Sequence, residues 1–277
     1  MIREISDISD SSVALYSVLN ENQLKHIYEP HEGVFIAESL NVIQRATDAG
    51  YIPESFFVEK GKLEKCGSLL KRFPDVDVFI ASEEKMSKIT GYHLTGGILS
   101  AMKRRALPDY HEIISGSKRI AVLVDIENPT NTGAIFRSAA ALGMDALLLS
   151  SDSCDPLYRR SIRVSMGSVF QIPWTIIDRK SEGQLFDELK KYRYTTFATA
   201  LADDTEKLNR INSRWGERTA IFFGSEGTGL PDHLIEKCDH KLMIPMSRNV
   251  DSLNVAASSA VIFWELNRDE ADRRANI

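Results

Sequence analysis

Three segments carry amide, carboxylate and guanidinium groups just beyond apolar runs: NTGAIFR (131–137), FGSEGTGL (223–230) and the stretch from IPM (244–246) to SLN (252–254). In the first, Asn131 is placed to cap a helix, Gly133 falls in its first turn, and Arg137 follows four residues later on the same helical face. A bare glycine beside a guanidinium leaves room for a ligand, although that pair alone equally describes a surface arginine and a packing glycine. The second segment puts three glycines after the run TAIFF, as a backbone cradle for a nucleotide would, yet Glu226 stands in its middle. It matches neither the GxGxxG dinucleotide fingerprint nor the GxxxxGK loop that holds phosphates. A carboxylate about 4 Å from a phosphate would cost roughly 4 kcal/mol at an effective dielectric near 20, about three decades in affinity. The cradle is therefore expected to hold something uncharged or cationic, such as an adenosine or amino-acid moiety. In the third segment Asp251 or Ser252 can cap the last helix, with Asn254 in its first turn.

These groups need a scaffold that brings distant loops together. From residue 118 onward, apolar runs (IAVLVD, DALLLS, TTFATAL, TAIFF, KLMIP) alternate with helical stretches (NTGAIFRSAAALG, a segment near 156–166, EGQLFDELKKY, a helix from about Pro231, and SLNVAASSAVIFWELN). Near-continuously apolar strands separated by helices predict a parallel sheet covered on both faces, with ligands outside the carboxyl ends of the strands. Before it, GVFIA, SFFVEK and VDVFIA read as strands, SLNVIQRATDAG and SEEKMSKIT as helices, and LPDYHEIISGSKR (107–119) as a linker. The last helix has small residues on one side (Ala256, Ala257, Ser259, Ala260) and large ones on another (Val261, Ile262, Trp264, Leu266), which suits tight packing.

The 277 residues, 43% of them hydrophobic, suffice for one large or two modest cores. MIREISDISD lacks an apolar leader core and no apolar run is long enough to span a bilayer, so no membrane partner is expected and the cytoplasm is the expected compartment. Cys66, Cys154 and Cys238 are widely separated and form no metal-ligand spacing, so no metal is expected. The net charge of −5 does not advertise nucleic-acid binding, but it conceals two basic clusters: Lys103, Arg104 and Arg105, and Arg159, Arg160 and Arg163. Alone, each reads as a solvated charged face.

Together and in this order, NTGAIFR, FGSEGTGL and IPM with SLNV resemble the three signature motifs of the SpoU/TrmH family of RNA ribose 2′-O-methyltransferases, in the SPOUT superfamily. The similarity spans roughly residues 118 to 267, and the first hundred or so are similar, more weakly, to a ribosomal-protein-type α/β RNA-binding domain. The implied fold is α/β: a parallel-sheet SPOUT domain with a deep trefoil knot at 117–277, preceded by a smaller RNA substrate-binding domain at 1–110. Ser39 stands where family members often carry glycine.

The resemblance implies S-adenosylmethionine as cofactor, which has a sulfonium and no phosphate, so a carboxylate in the cradle is tolerable. It implies Asn131, Arg137, Glu226 and Asn254 as active-site residues, with Ser252 beside them, and cofactor contacts from Ala200, Leu201, Gly224, Ile244, Met246, Ser252 and Leu253. It implies a homodimer and an RNA substrate, not DNA, since only RNA has a 2′ hydroxyl. The basic residues Arg104, Arg105, Arg159, Arg160 and Arg163 become candidate RNA contacts. The appended domain favours large-subunit ribosomal RNA by family analogy; transfer RNA, or a non-catalytic RNA-binding role on the same fold, are the alternatives. A nicotinamide dehydrogenase is disfavoured by the missing fingerprint and by Glu226.

Overall fold

The computed structural model describes residues 1–268 apart from 8, 18, 30, 91–95, 201–203, 212–214 and 249. They form two compact units, one of Met1–Ala106 with Leu157–Gln171, the other of Leu107–Pro156 with the chain from Ile172 onward.

The first unit contains β1 (Ile2–Glu4), α1 (Ala14–Ser17), α2 (Glu21–His26), β2 (Val34–Glu38), α3 (Leu40–Asp48), β3 (Pro53–Glu59), α4 (Leu63–Leu70), β4 (Asp77–Ala81), α5 (Glu83–Thr90) and β5 (Ile98–Lys103). Its sheet runs β1-β4-β3-β5-β2, with β1, β4 and β3 parallel and β5 antiparallel to both neighbours. Val34, Ile36, Phe57, Phe79 and Leu99 pack under Val13, Tyr16 and Leu24 from the first helical stretch. A register shift between Pro53 and Ser55 interrupts the ladder. There the Tyr16 hydroxyl lies 2.7 Å from the Ser55 hydroxyl and accepts from the Ala101 N–H at 3.1 Å, so groups near the irregularity stay bonded.

The helix α8 (Arg159–Val164) and the turn after it also belong to this unit, whereas the contiguous boundaries expected from sequence placed them with the second half. Side-chain chemistry explains the assignment. Phe170 stacks on Phe35 at 5.6 Å and meets Tyr51 edge-on at 5.2 Å. Arg45 donates to the Met166 carbonyl at 2.5 Å, and the Arg159 guanidinium pairs with the mostly buried Glu38 at 3.1 Å.

The second unit contains α6 (Tyr110–Gly116), β6 (Arg119–Leu123), α7 (Pro129–Leu142), β7 (Ala146–Ser150), β8 (Trp174–Ile177), α9 (Glu182–Lys191), β9 (Tyr194–Thr199), β10 (Glu206–Lys207), β11 (Arg218–Phe223), α10 (Asp232–Lys237), β12 (His240–Met243) and α11 (Val255–Leu266). Its seven strands run β10-β12-β9-β11-β6-β7-β8 and all pair in parallel. Helix α6 occupies part of the stretch expected as a linker: Asp109 accepts from the His111 N–H at 2.9 Å and starts a turn whose Ile113 and Ile114 are buried. Because β12, β9, β11 and β6 are consecutive parallel neighbours, the segments after them leave from one edge of the sheet.

Candidate active site at four strand ends

After β11 the chain doubles back on itself. A Cβ on Gly224 would lie 2.2 Å from the Gly229 carbonyl carbon and from the Leu230 nitrogen, so this glycine accommodates the loop's own backbone. The Gly229 N–H donates to the Ser225 carbonyl at 2.9 Å, and the Ser225 and Thr228 hydroxyls lie 2.8 Å apart. Gly229 takes φ +70, while Gly227 faces open space. The closed loop displays Glu226 at its tip.

Two side-chain amides converge on that carboxylate. Asn131 Nδ2 and Asn254 Nδ2 each donate to Glu226 Oε1 at 2.5 Å, and Asn254 Nδ2 also lies 3.2 Å from Asn131 Oδ1. The helix starts differ by a few residues from the sequence expectation. Asn128 is the cap of α7, accepting from the Thr130 N–H at 2.8 Å ahead of Pro129, so Asn131 lies inside the first turn with its amide available. Asn254 itself caps α11 through its Oδ1, which accepts from the Ala256 N–H at 2.9 Å, in place of Asp251 or Ser252. Glu226 therefore sits against the first turns of two helices, whose positive ends favour an anion.

Beside this triad opens a cavity of about 610 Å³, within the size range of small-molecule sites. Ala200, Gly224, Ile244, Met246, Ser252 and Leu253 line it with Glu226 and Asn254, while Leu201 lies outside the described residues. Asn131 meets the cavity only through its bonds to the other two, and Arg137 does not line it. Arg137 is six residues beyond Asn131 on α7, exposed, and bonded to no described residue. Sequence reading missed Thr199, Asp232 and Ser258 in the lining and took Asp251 only as a cap. The one available signal for Thr199 and Asp232 was position, beside the ends of β9 and β11. Among the described residues the lining carries three carboxylates, Glu226, Asp232 and Asp251, and no lysine, arginine or histidine. Such a donor set suits a ligand with positive charge and no phosphate.

The basic candidates all belong to the first unit. Arg104 Nε donates to the Val34 carbonyl at 3.3 Å. Arg105 lies over the Tyr51 ring at 4.3 Å and donates to the Ala49 carbonyl at 2.9 Å. Arg159 is held by Glu38, and its N–H donates to Glu21 at 2.8 Å. Lys103, Arg160 and Arg163 are exposed. Among the described residues no His, Cys, Asp and Glu cluster could hold a metal ion, and no helix is long and apolar enough to cross a membrane.

An all-parallel α/β sheet with a cavity at the carboxyl ends of its strands defines a ligand-binding domain of the doubly wound kind, here with a polar triad where a phosphate loop would otherwise be. The sequence profile of the SpoU rRNA methylase family matches residues 118–264, and the chain belongs to that family. It is 31% identical over 269 residues to a Mycobacterium bovis protein named an uncharacterized tRNA/rRNA methyltransferase, covering 96% of this chain and 92% of that one. It is 27% identical over 191 residues to the Bacillus subtilis 23S rRNA (guanosine(2553)-2′-O)-methyltransferase, covering 69% of this chain and 73% of the relative. The crystal structure of an AdoMet-bound rRNA methyltransferase from Sinorhizobium meliloti superposes with a TM-score of 0.80 at 22% identity, covering 97% of this chain and 98% of that one, which establishes the shared fold. The protein is an RNA methyltransferase of this family.

Proposed function

We propose that the protein transfers a methyl group from S-adenosylmethionine to a ribose 2′ oxygen of large-subunit ribosomal RNA. The observation that carries this reading is the joining of Asn131, Glu226 and Asn254 beside a cavity whose described lining carries carboxylates and no cation. The Bacillus relative, whose name specifies a 23S rRNA 2′-O position, supports the substrate.

Bound in the cavity, S-adenosylmethionine supplies an electrophilic methyl carbon on a cationic sulfur. Ala200, Gly224, Ile244, Met246, Ser252 and Leu253, which line the cavity, would hold it, on segments that the family resemblance routes through a knot. Asn131 and Asn254 fix Glu226 by two charge-assisted hydrogen bonds, so the carboxylate is oriented before substrate arrives. A guanidinium offers five N–H donors and no acceptor, so Arg137 is read as an electrostatic group and not as the general base. Its guanidinium binds the RNA phosphate next to the target ribose and stabilises negative charge developing on the 2′ oxygen.

We also infer a homodimer. Val261 and Trp264, on the last helix, are 40% and 51% exposed, with Ala257 one turn earlier, and α11 packs against α7, the helix that carries Arg137. A second copy over this surface would bury the tryptophan. Trp264→Lys is expected to yield monomers by analytical ultracentrifugation.

The function is tested by mapping 2′-O-methylation across total RNA with and without the gene. One lost position in large-subunit ribosomal RNA, restored by the wild-type chain and not by Arg137→Ala, is the expected result; an unchanged map rejects the proposal.

A further inference from the structure

Charge at the cavity mouth is uncompensated. Glu226 shares its charge with two amides, but Asp232 and Asp251, both exposed, make no side-chain hydrogen bond or ion pair with any described residue. Cations of the neighbouring strand and loop do not offset them: Lys241 is paired with Asp204 at 2.8 Å, and Arg248 is exposed and does not line the cavity.

We propose that Asp232 and Asp251 select the methylated cofactor over its demethylated product by charge. The inference rests on the reading that S-adenosylmethionine occupies the cavity. Cofactor and S-adenosylhomocysteine share the adenosine, the ammonium and the carboxylate; they differ by one methyl group and one formal positive charge on sulfur. Contacts to the shared parts bind both alike, and a single methyl adds little apolar area. An excess of negative charge instead favours the cation and lets the neutral product leave. A unit charge about 10 Å from the sulfur favours the cation roughly twofold at a dielectric near 80 and about 16-fold near 20. Both carboxylates are exposed, so the low end applies, about twofold each.

The experiment is isothermal titration of the full chain with S-adenosylmethionine and with S-adenosylhomocysteine, for the wild type, Asp232→Asn and Asp251→Asn. The ratio of the two affinities is read at about 50 mM and about 500 mM salt, a range over which the Debye length shrinks severalfold. Each substitution is expected to lower the cofactor-over-product ratio about twofold, and the wild-type ratio to fall with salt. Asparagine preserves side-chain shape, and the wild-type salt series needs no variant at all. A wild-type ratio that ignores salt, or folded variants with the wild-type ratio, overturns the charge selection and leaves the cofactor reading standing. If the wild type binds neither ligand, the cofactor reading itself fails and the selectivity proposal goes with it.

Discussion

Asn131 and Asn254 lie 123 residues apart in the chain and donate their amides to the same oxygen of Glu226, at 2.5 Å each. Two donors on one acceptor behave as a unit, so their removal should not add. Asn131→Ala and Asn254→Ala are each expected to lower kcat/KM for methyl transfer about 10- to 100-fold, with the double variant close to the worse single. Glu226→Gln should fall in the same range, because a neutral amide oxygen accepts more weakly than a carboxylate and an NH2 group takes the place of the second oxygen. Additive losses in a double-mutant cycle would separate the three residues into independent roles.

Arg137 is outside the cavity lining, and this separates binding from turnover. Arg137→Ala is expected to leave S-adenosylmethionine affinity within about twofold of wild type while turnover drops by two decades or more, as for loss of a single oxyanion-stabilising donor. Arg137→Lys should recover little, since one ammonium does not reproduce the paired donors a guanidinium offers to phosphate. Titration calorimetry and single-turnover methyl incorporation check both statements. An equal loss of cofactor affinity would move Arg137 into the binding site.

The main site was legible because parallel strands have one rule about where their carboxyl ends lie, and the three motifs follow β6, β11 and β12. Helix starts were less so. Asn128 and Asn131 are equally good capping residues on paper, and only Pro129 at the first helical position favours the former. Asp109 and Glu112 form the spacing that opens a helix, yet Pro108 and Gly116 suggested a linker over residues 107–119, the stretch that contains α6. The strand β5 was hidden by an expectation of strict strand–helix alternation, although Ile98–Met102 is buried throughout. Asp232 and Asp251 were beyond sequence reasoning as a charge pair, since they share a cavity only because β11 and β12 each neighbour β9.

Ser39 carries strain at the start of α3. Its φ is +80 with ψ 149, a region that glycine occupies freely, and its hydroxyl provides no cap. A glycine at this position would be free of that steric cost. Ser39→Gly should relieve about 1–3 kcal/mol of strain against about 0.5–1 kcal/mol of added chain entropy. A net gain of about 1 kcal/mol raises Tm by roughly 2–4 °C. Gly96→Ala should act oppositely, because its Cβ would lie 2.9 Å from the Ser39 Cβ and 3.0 Å from its Cα. Calorimetric melts of both variants decide the matter.

On α8 two arginines differ in exposure, and RNA contact by the more exposed one is testable. Arg159 is engaged with Glu38, whose side chain is 11% exposed, so Arg159→Ala leaves a mostly buried carboxylate without this partner and should destabilise by about 1–3 kcal/mol. Arg163 is exposed one turn later. Arg163→Ala should weaken RNA binding and reduce the slope of log affinity against log salt by about 1. Filter binding across a salt series reads the slope; no change would remove Arg163 from the RNA surface.

The Glu226 loop offers a contrast between two glycines three residues apart. Gly224→Ala would push a Cβ to 2.2 Å from the backbone at Gly229 and Leu230, atoms that cannot move without opening the turn that displays Glu226. Gly227→Ala meets nothing within 4 Å. Cofactor affinity, measured by calorimetry, should therefore fall at least tenfold for Gly224→Ala and stay within about twofold for Gly227→Ala, with α7 and α11 still packed in both. Because Asn131 and Asn254 hold the carboxylate from outside the loop, the Gly224 variant should lose their shared acceptor as well. Adding Asn254→Ala to Gly224→Ala is then expected to cost little more turnover. A full extra loss in that double variant would mean that the amide contacts survive the opened turn, and that loop closure and carboxylate orientation are separate devices.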